Sequence, residues 1–291
     1  MSIALITGAS RGIGRAIAVH LARHGFEAYA SMRDLGDAAP LVQLAEAEGL
    51  ALHPITLDVT DDASVRSAVE HVLERTGQID ALVNNAAIAR FAPIEHTTPA
   101  ALAGVLDTNL IGALRTAQAV LPTMRAQGRG TIVNISSVAG RVAPFCFGSY
   151  VMAKWALEAA SEMLAQEVTA LGIRVALIEP GFHATRMLDD ATQGIGIDPG
   201  SAYADAERRT VALFAASKQT AADPQRVAET VDEAITTQTP RFRYPVGVDA
   251  DVFLGGRARM ADEDWVALGR RMTDEEYFAE FAARFPAPVP V

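Results

Sequence analysis

The chain has one cysteine, Cys146, in 291 residues. That excludes an internal disulfide and any cysteine-rich metal site, and no metal is expected. Positive charge is also scarce. Twenty-five Lys and Arg stand against 35 Asp and Glu, a formal net charge of −10. This balance argues against nucleic acid or an anionic membrane as a partner. No apolar run approaches the roughly 18 residues of a membrane span. The opening stretch, Met1 to Gly8, has no basic segment and no cleavage site, so it reads as an early strand and not a signal peptide. There is no internal repeat, low-complexity block or early linker. A cytoplasmic protein is the expectation. What is present is a globular composition: half the residues are apolar, enough for a full core. The length allows one large domain or two small ones.

Short apolar runs alternate with segments of helical period. Ile3–Thr7, Glu27–Ser31, Leu52–Leu57, Ala81–Asn84, Thr131–Ile135 and Arg174–Ile178 read as strands, and Phe242–Val246 as a seventh. Between them, helical spacing marks Ile13, Ala16, Ile17, His20 and Leu21, a segment after Asp37, and Val65, Ala68, Val69, Val72 and Leu73. Longer helices are expected over Leu102–Met124 and Ser149–Leu171. This alternation implies parallel βαβ units with right-handed crossovers and helices on both sheet faces. The predicted class is α/β, a doubly wound, mostly parallel, seven-stranded sheet in three αβα layers. Ligands of such sheets bind beyond the carboxyl ends of the strands. After residue 181 the rhythm breaks. Residues 182–222, punctuated by Gly194, Gly196, Pro199 and Gly200, read as loop and helix pieces. A helix restarts after Asp223-Pro224. Residues 249–285 read as short helices, and Pro286–Val291 as an extended tail.

Between the first strand and first helix lies Thr7-Gly8-Ala9-Ser10-Arg11-Gly12-Ile13-Gly14. Gly8 permits the turn, Gly12 lets backbone approach a pyrophosphate, and Gly14 lets the helix pack close to the sheet. The helix N-terminus then offers N–H groups and a positive dipole end. The strand–turn–helix context makes this a dinucleotide turn rather than a bare glycine-rich loop. The second strand ends Ala30-Ser31-Met32-Arg33-Asp34. Met32 holds the position where an acid would grip a free ribose 2′-hydroxyl, and Arg33 follows it. Arg33, Arg11 and the Ser31 hydroxyl suit a 2′-phosphate, which favours NADP(H) over NAD(H). The competing reading makes Arg33 and Asp34 surface charges, with Asp34 on the ribose.

Tyr150 and Lys154 stand four residues apart, on one face of the long helix. Ser137 ends the fifth strand, 13 positions before Tyr150. With TGASRGIG at 7–14, Asp58-Val59, NNAA at 84–87, Asn109, NISS at 134–137, YVMAK at 150–154 and EPGFHAT at 179–185, the chain resembles the short-chain dehydrogenase/reductase family over about residues 1–248. The resemblance implies a Rossmann fold and an oxidoreductase acting on a ketone or secondary alcohol. It makes Tyr150 the general acid/base, Lys154 the group that lowers its pKa and binds the nicotinamide ribose, Ser137 the partner of the substrate oxygen, and Asn109 the holder of a relay water. It assigns cofactor contacts to Gly8, Ser10, Arg11, Gly12, Ile13, Gly14, Ser31, Arg33, Asp58, Val59, Asn85, Ala86, Ala87, Tyr150, Lys154, Pro180, Gly181 and Thr185. Ala87 departs from the family's usual glycine, and its methyl would crowd the backbone beside the ribose.

The segments Tyr29–Asp34 and Arg241–Pro245 resemble the branch containing 17β-hydroxysteroid and retinol dehydrogenases, which implies a lipophilic substrate. Phe145, Phe147, Phe182, Met187 and Phe214 are candidate pocket walls. Cys146 reads as a packing residue and His183 as an exposed loop histidine. The long helix is apolar on two sides, through Leu157, Ala160 and Leu164 and through Trp155, Ala159 and Met163, so a homodimer or homotetramer is expected. Residues 249–291 are too few for an independent core and read as an extension of a single domain. Together with the 182–222 insertion they would cover the substrate cleft. Rival readings are a catalytically silent NADP-binding regulator, an NAD-dependent dehydrogenase of the same fold, and a lyase or epimerase using bound NAD.

Overall fold

A computed structural model describes residues 1–187, 189–190 and 197–286. Gly194, Gly196 and residues 287–291 of the expected tail lie outside the described residues. Seven strands form one sheet: β1 Ser2–Ile6, β2 Phe26–Met32, β3 Leu52–Thr56, β4 Ala81–Asn84, β5 Gly130–Ile135, β6 Ile173–Pro180 and β7 Arg243–Val246. Their order is β3-β2-β1-β4-β5-β6-β7, and every pair is parallel, not mostly so. The chain starts mid-sheet, runs out to β3, then crosses back to β4 and runs to the other edge. The reversal leaves a crevice between the carboxyl ends of β1 and β4.

One sheet face is covered by α1 (Gly12–Arg23), α2 (Ala39–Glu48) and the later α8 (Gln225–Thr236). Ile17, Leu21, Leu41, Val227 and Val231 pack there on the small residues Ala28 and Ala30. The other face takes α3 (Asp62–Thr76), α5 (Gly112–Gln127) and the end of α6 (Gly148–Val168), through Val69, Val72, Val120, Met124 and Val168. Helix starts follow capping chemistry. The Asp61 carboxylate accepts from the Ala63 and Ser64 amides at α3, and Thr98 caps α4 (Pro99–Leu106). The helix expected over Leu102–Met124 contains a π turn, Asp107–Ile111, between α4 and α5.

A buried polar chain fixes the middle of the sheet. Thr116 Oγ1 donates to Asn84 Oδ1 (2.6 Å), Asn84 Nδ2 to Asn134 Oδ1 (2.9 Å), and Asn134 Nδ2 to Ser161 Oγ (2.8 Å). It joins α5, β4, β5 and α6, the elements that carry the site.

The segment 182–222, expected as loop and helix pieces, holds a longer helix than its pattern suggests. It contains a 17-residue helix, α7 (Ala204–Thr220). Its buried face includes Glu207, Arg209 and Thr210, so its amphipathic period is masked by polar residues. Arg209 Nε donates to Asp274 Oδ1 (2.8 Å) and its Nη2 to the Met272 carbonyl (2.6 Å). Asp274 opens the last of three short C-terminal helices, α9 (Val248–Ala258), α10 (Asp262–Ala267) and α11 (Asp274–Arg284). A capping box between Thr273 and Glu276 starts α11.

Truncating the middle of the polar chain leaves buried partners unsatisfied. Asn134→Ala is expected to lower stability by about 2 kcal/mol. Urea unfolding should show a lower midpoint with an unchanged slope; an unmoved midpoint would remove the chain from the sheet's support.

Candidate active site

The crevice between β1 and β4 is lined by the glycine turn and held shut beneath by side chains. Thr7 Oγ1 accepts from the Asn85 and Ala86 amides, each at 3.0 Å. Asn85 Nδ2 donates back to the Thr7 and Gly8 carbonyls, each at 3.0 Å. A Cβ on Gly14 would stand 2.4 Å from both Asn85 Nδ2 and the Gly8 carbonyl, so only glycine fits. Gly12 has φ +56°, and a Cβ there would face Thr185 Cγ2 at 3.5 Å. Arg11 precedes α1 without a capping side-chain bond, leaving the helix N-terminus uncapped by its own chain. These residues fit a dinucleotide pyrophosphate: an uncapped helix start, a left-handed glycine, and no side chain where the ligand approaches.

The ribose end is mixed. Met32 is buried in the core. Asp34, the rival ribose partner, is exposed, and its Oδ1 accepts from the Gly36 amide at 2.8 Å. Arg33 and Arg11 are exposed. Arg33 lies close enough to Asp58 to act on its charge. Burial works against that carboxylate, but the Thr60 backbone and hydroxyl bonds, with Arg33 and Arg115, hold its pKa below the ordinary value. Val59 packs against Gly112. Ser31 is a correction. It is 0% exposed, and its Oγ has no partner among the described residues. Alternation along β2 turns it under the sheet edge, so its hydroxyl does not open toward a phosphate.

The cleft itself brings together Ile13, Asn85, Ala87, Ser137, Tyr150, Lys154, Pro180, Gly181 and Thr185 from five segments of chain. Ser10 lies in the glycine turn beside it, half-buried. Tyr150 is half-buried, and desolvation pushes its phenol up to about 12, while the Ser137 hydroxyl beside it draws the value down. Lys154 is pulled down to about 8 by burial, against the charge of Glu158. Its Nζ donates to the Ile135 carbonyl at 2.7 Å and stands 5.7 Å from the Tyr150 ring centre. The protein alone therefore favours a neutral phenol, the form that can give a proton. Asn109 is not part of this group. It is buried in the π turn, with Oδ1 accepting from the Ile88 amide and Nδ2 donating to the Ile88 carbonyl, both at 2.8 Å. Its side chain fixes the loop after β4.

Phe147, Phe182, Met187 and Phe214 line the cleft as expected. Phe145 does not; it packs on Tyr277, ring centres 5.5 Å apart. His183 is another correction. It is 4% exposed, lines the cleft, and its Nε2 has no partner among the described residues. A backbone bridge between His183 and Ala222 pulls it inward. Cys146 is buried with φ +61°, and burial raises its thiol to about 11, so it is no nucleophile.

Sequence reasoning missed three groups. Phe91 enters from the loop after β4 and meets Phe147 and Phe214 edge-on and Tyr150 at a tilt. Asp249, at the start of α9, accepts from the Phe182 amide at 2.6 Å and so braces the segment Gly181–Phe182. Behind Lys154, Arg243 of β7 bonds Glu158 (3.1 Å) and Glu162 (3.1 Å) of α6 and lies 3.5 Å from Glu179. Glu158, one helical turn after Lys154, was the legible signal; nothing in local pattern announced the other two.

A family model described as short chain dehydrogenase matches residues 2–196. Estradiol 17-beta-dehydrogenase 1 of Rattus norvegicus is 36% identical over 84% of this chain and 73% of its own. An alcohol dehydrogenase from the archaeon Thermococcus sibiricus, solved with 5-hydroxy-NADP, superposes with TM-score 0.70 at 27% identity, covering 85% of this chain and 97% of that one. A short chain dehydrogenase/reductase from Burkholderia phymatum, solved with NAD, superposes with TM-score 0.77 at 25% identity, covering 94% and 96%. No described helix is long and apolar enough to cross a membrane.

The Glu179 carboxyl is pushed up to about 7, first by burial and then by Glu158, against Arg141 and Arg243. An unfolded glutamate titrates near 4.3, so between about pH 4.3 and 7 the folded chain holds the extra proton. Stability must therefore fall as pH rises through that window. Glu179→Gln removes the titration. Its stability should be flatter from pH 5 to 8 and exceed the parent's at pH 8. Urea midpoints across that range test this, and parallel curves would refute it.

Proposed function

The chain belongs to the short chain dehydrogenase family and is an oxidoreductase of CH–OH and C=O groups; on that premise we propose an NADP(H)-dependent carbonyl reductase/alcohol dehydrogenase with a lipophilic substrate. The carrying observation is the meeting of Ser137, Tyr150 and Lys154 in one cleft beside the glycine turn. NADP is favoured by exposed Arg33 after β2, by exposed Arg11 at the start of α1, and by Met32 in place of an acid. Asp58 and Val59 would border the adenine, Asn85, Ala86 and Ala87 the ribose, and Pro180, Gly181 and Thr185 the nicotinamide.

The bound cofactor supplies the hydride. The protein supplies a proton and a field. In reduction, Tyr150 donates its phenolic proton to the substrate oxygen, and Ser137 shares the negative charge that develops there. The Lys154 ammonium then stabilises the phenolate and reaches the nicotinamide ribose. Oxidation reverses these roles, and the phenol's high starting value makes the positive charge of the loaded site essential. Asn109 would serve any proton relay by positioning the loop at Ile88.

The cleft walls Phe91, Phe147, Phe182 and Phe214 present apolar rings to the substrate. That matches the steroid named for the rat relative. We read the chain as one domain in which α7 and the C-terminal helices form the cover of this cleft. A stripe of Trp155 (46% exposed), Ala159 and Met163 (58%) runs along α6. It supports a homo-oligomer, dimer or tetramer, packed through that helix.

NADPH and NADH oxidation against a panel of aliphatic, aromatic and steroidal ketones tests the reading. Tyr150→Phe should lower kcat by about 10²–10⁴ without unfolding the chain. Unchanged turnover in that variant would overturn the mechanism. Arg33→Ala should raise KM for NADPH about tenfold and spare NADH. Equal losses with both, or faster turnover of the parent with NADH, would overturn the cofactor assignment.

A further inference from the structure

Far from the cleft, at the other end of α1, two imidazoles and a carboxylate converge. His20 and His24 lie one turn apart and share a helix face. Asp232 reaches them from α8. Its Oδ2 stands 3.0 Å from His20 Nε2 and 2.5 Å from His24 Nδ1. The two ring centres are 3.9 Å apart. His20 and Asp232 are largely buried, while His24 is half exposed. The donor atoms lie within 4.8 Å of one another. His20 is about 12 Å along α1 from Gly12, so nothing proposed for the hydride chemistry uses this cluster.

Several features distinguish the cluster from a surface ion pair. Three potential ligand atoms, two imidazole nitrogens and one carboxylate oxygen, are gathered at one spot. The ligands come from two packed helices, so little ordering is needed to assemble them. The buried ring also has an outer partner. Gln225 Nε2 lies 2.8 Å from His20 Nδ1 and fixes the ring plane. With a cation on Nε2, Nδ1 must carry the proton, and the Gln225 amide turns its oxygen to accept it.

We propose that His20 Nε2, His24 Nδ1 and Asp232 Oδ2 form a binding site for a divalent transition cation, Zn²⁺ by its donor chemistry, which clamps α1 to α8. Two imidazoles and one carboxylate are a borderline set. They suit zinc, and disfavour magnesium and calcium, which take oxygen cages. The exposed side by His24 leaves the fourth position to water. The ion is a structural staple, since it binds the folded chain and not the unfolded one.

The test uses the full chain, purified without a polyhistidine tag, stripped with a chelator and dialysed. Calorimetric titration with zinc chloride should give one ion per chain, and thermal melts should rise by several degrees at saturation. Magnesium should leave the melt unmoved. His24→Ala, at an exposed position, should keep the metal-free melting temperature and weaken zinc binding at least about tenfold. Asp232→Asn should weaken it similarly. Absence of binding at about 100 μM zinc would overturn the proposal, as would undiminished affinity in both variants. Neither readout depends on turnover.

Discussion

The close approach of β1 and β4 where they part governs the rest of the structure. Two parallel strands diverging at a switch point expose four main-chain groups to a crevice that must admit a charged ligand. Here the Thr7 hydroxyl and the Asn85 amide satisfy those groups internally. The lock leaves no room for a Cβ on Gly14, so α1 can sit directly over the strand end with its N-terminus aimed outward. Lose the lock, and the turn would relax toward the Asn85 side and close the space a phosphate needs. Ala87 lines the cleft just beyond it.

On the far side of the crevice, polar groups are buried for chemistry and supported for stability. Burial moves Tyr150 and Lys154 in opposite directions, both toward their neutral forms. A dry site that discourages charge in the free protein magnifies the effect of any charge brought into it. The Ile135 carbonyl holds the ammonium in wait, close to the phenol and not on it. Arg243 then collects Glu158, Glu162 and Glu179, tying β6 and β7 to the helix that bears the reactive pair. The same arginine thus neutralises acids that would otherwise crowd the site with negative charge.

The sheet was legible because its strands are short apolar runs set off by turns, a pattern that depends on local sequence alone. The glycine turn and the Ser137, Tyr150 and Lys154 set were legible because their spacings are dictated by one strand end and one helix face. What escaped was set by tertiary packing. α7 buries Glu207, Arg209 and Thr210, whose partners are remote in sequence, so polarity concealed its inner face. His183 reads as a loop residue until its bridge to Ala222 is seen. Ser31 reads as a ligand until strand alternation turns it inward. Phe91 and Asp249 come from segments with no periodicity, and only their meeting with the cleft gives them meaning.

The insertion and the C-terminal extension are physically one device. α7 cannot bury Arg209 without Asp274 and the Tyr277 ring, which lies 4.8 Å beneath the guanidinium. The short C-terminal helices share a cluster of rings: Phe253, Phe281 and Phe285 pack at tilted angles, Trp265 meets Phe285, and Phe253 meets Phe182 at the cleft wall. These rings line a second, apolar pocket together with Val138, Phe147 and Phe182. Asp249 adds a rigid link, since its carboxylate holds the Phe182 backbone at the cleft. A change in the extension therefore reaches the cleft along two routes, through aromatic packing at Phe182 and through the Asp249 brace. The shape of the cleft wall can thus be altered from outside the sheet without touching the lock between β1 and β4.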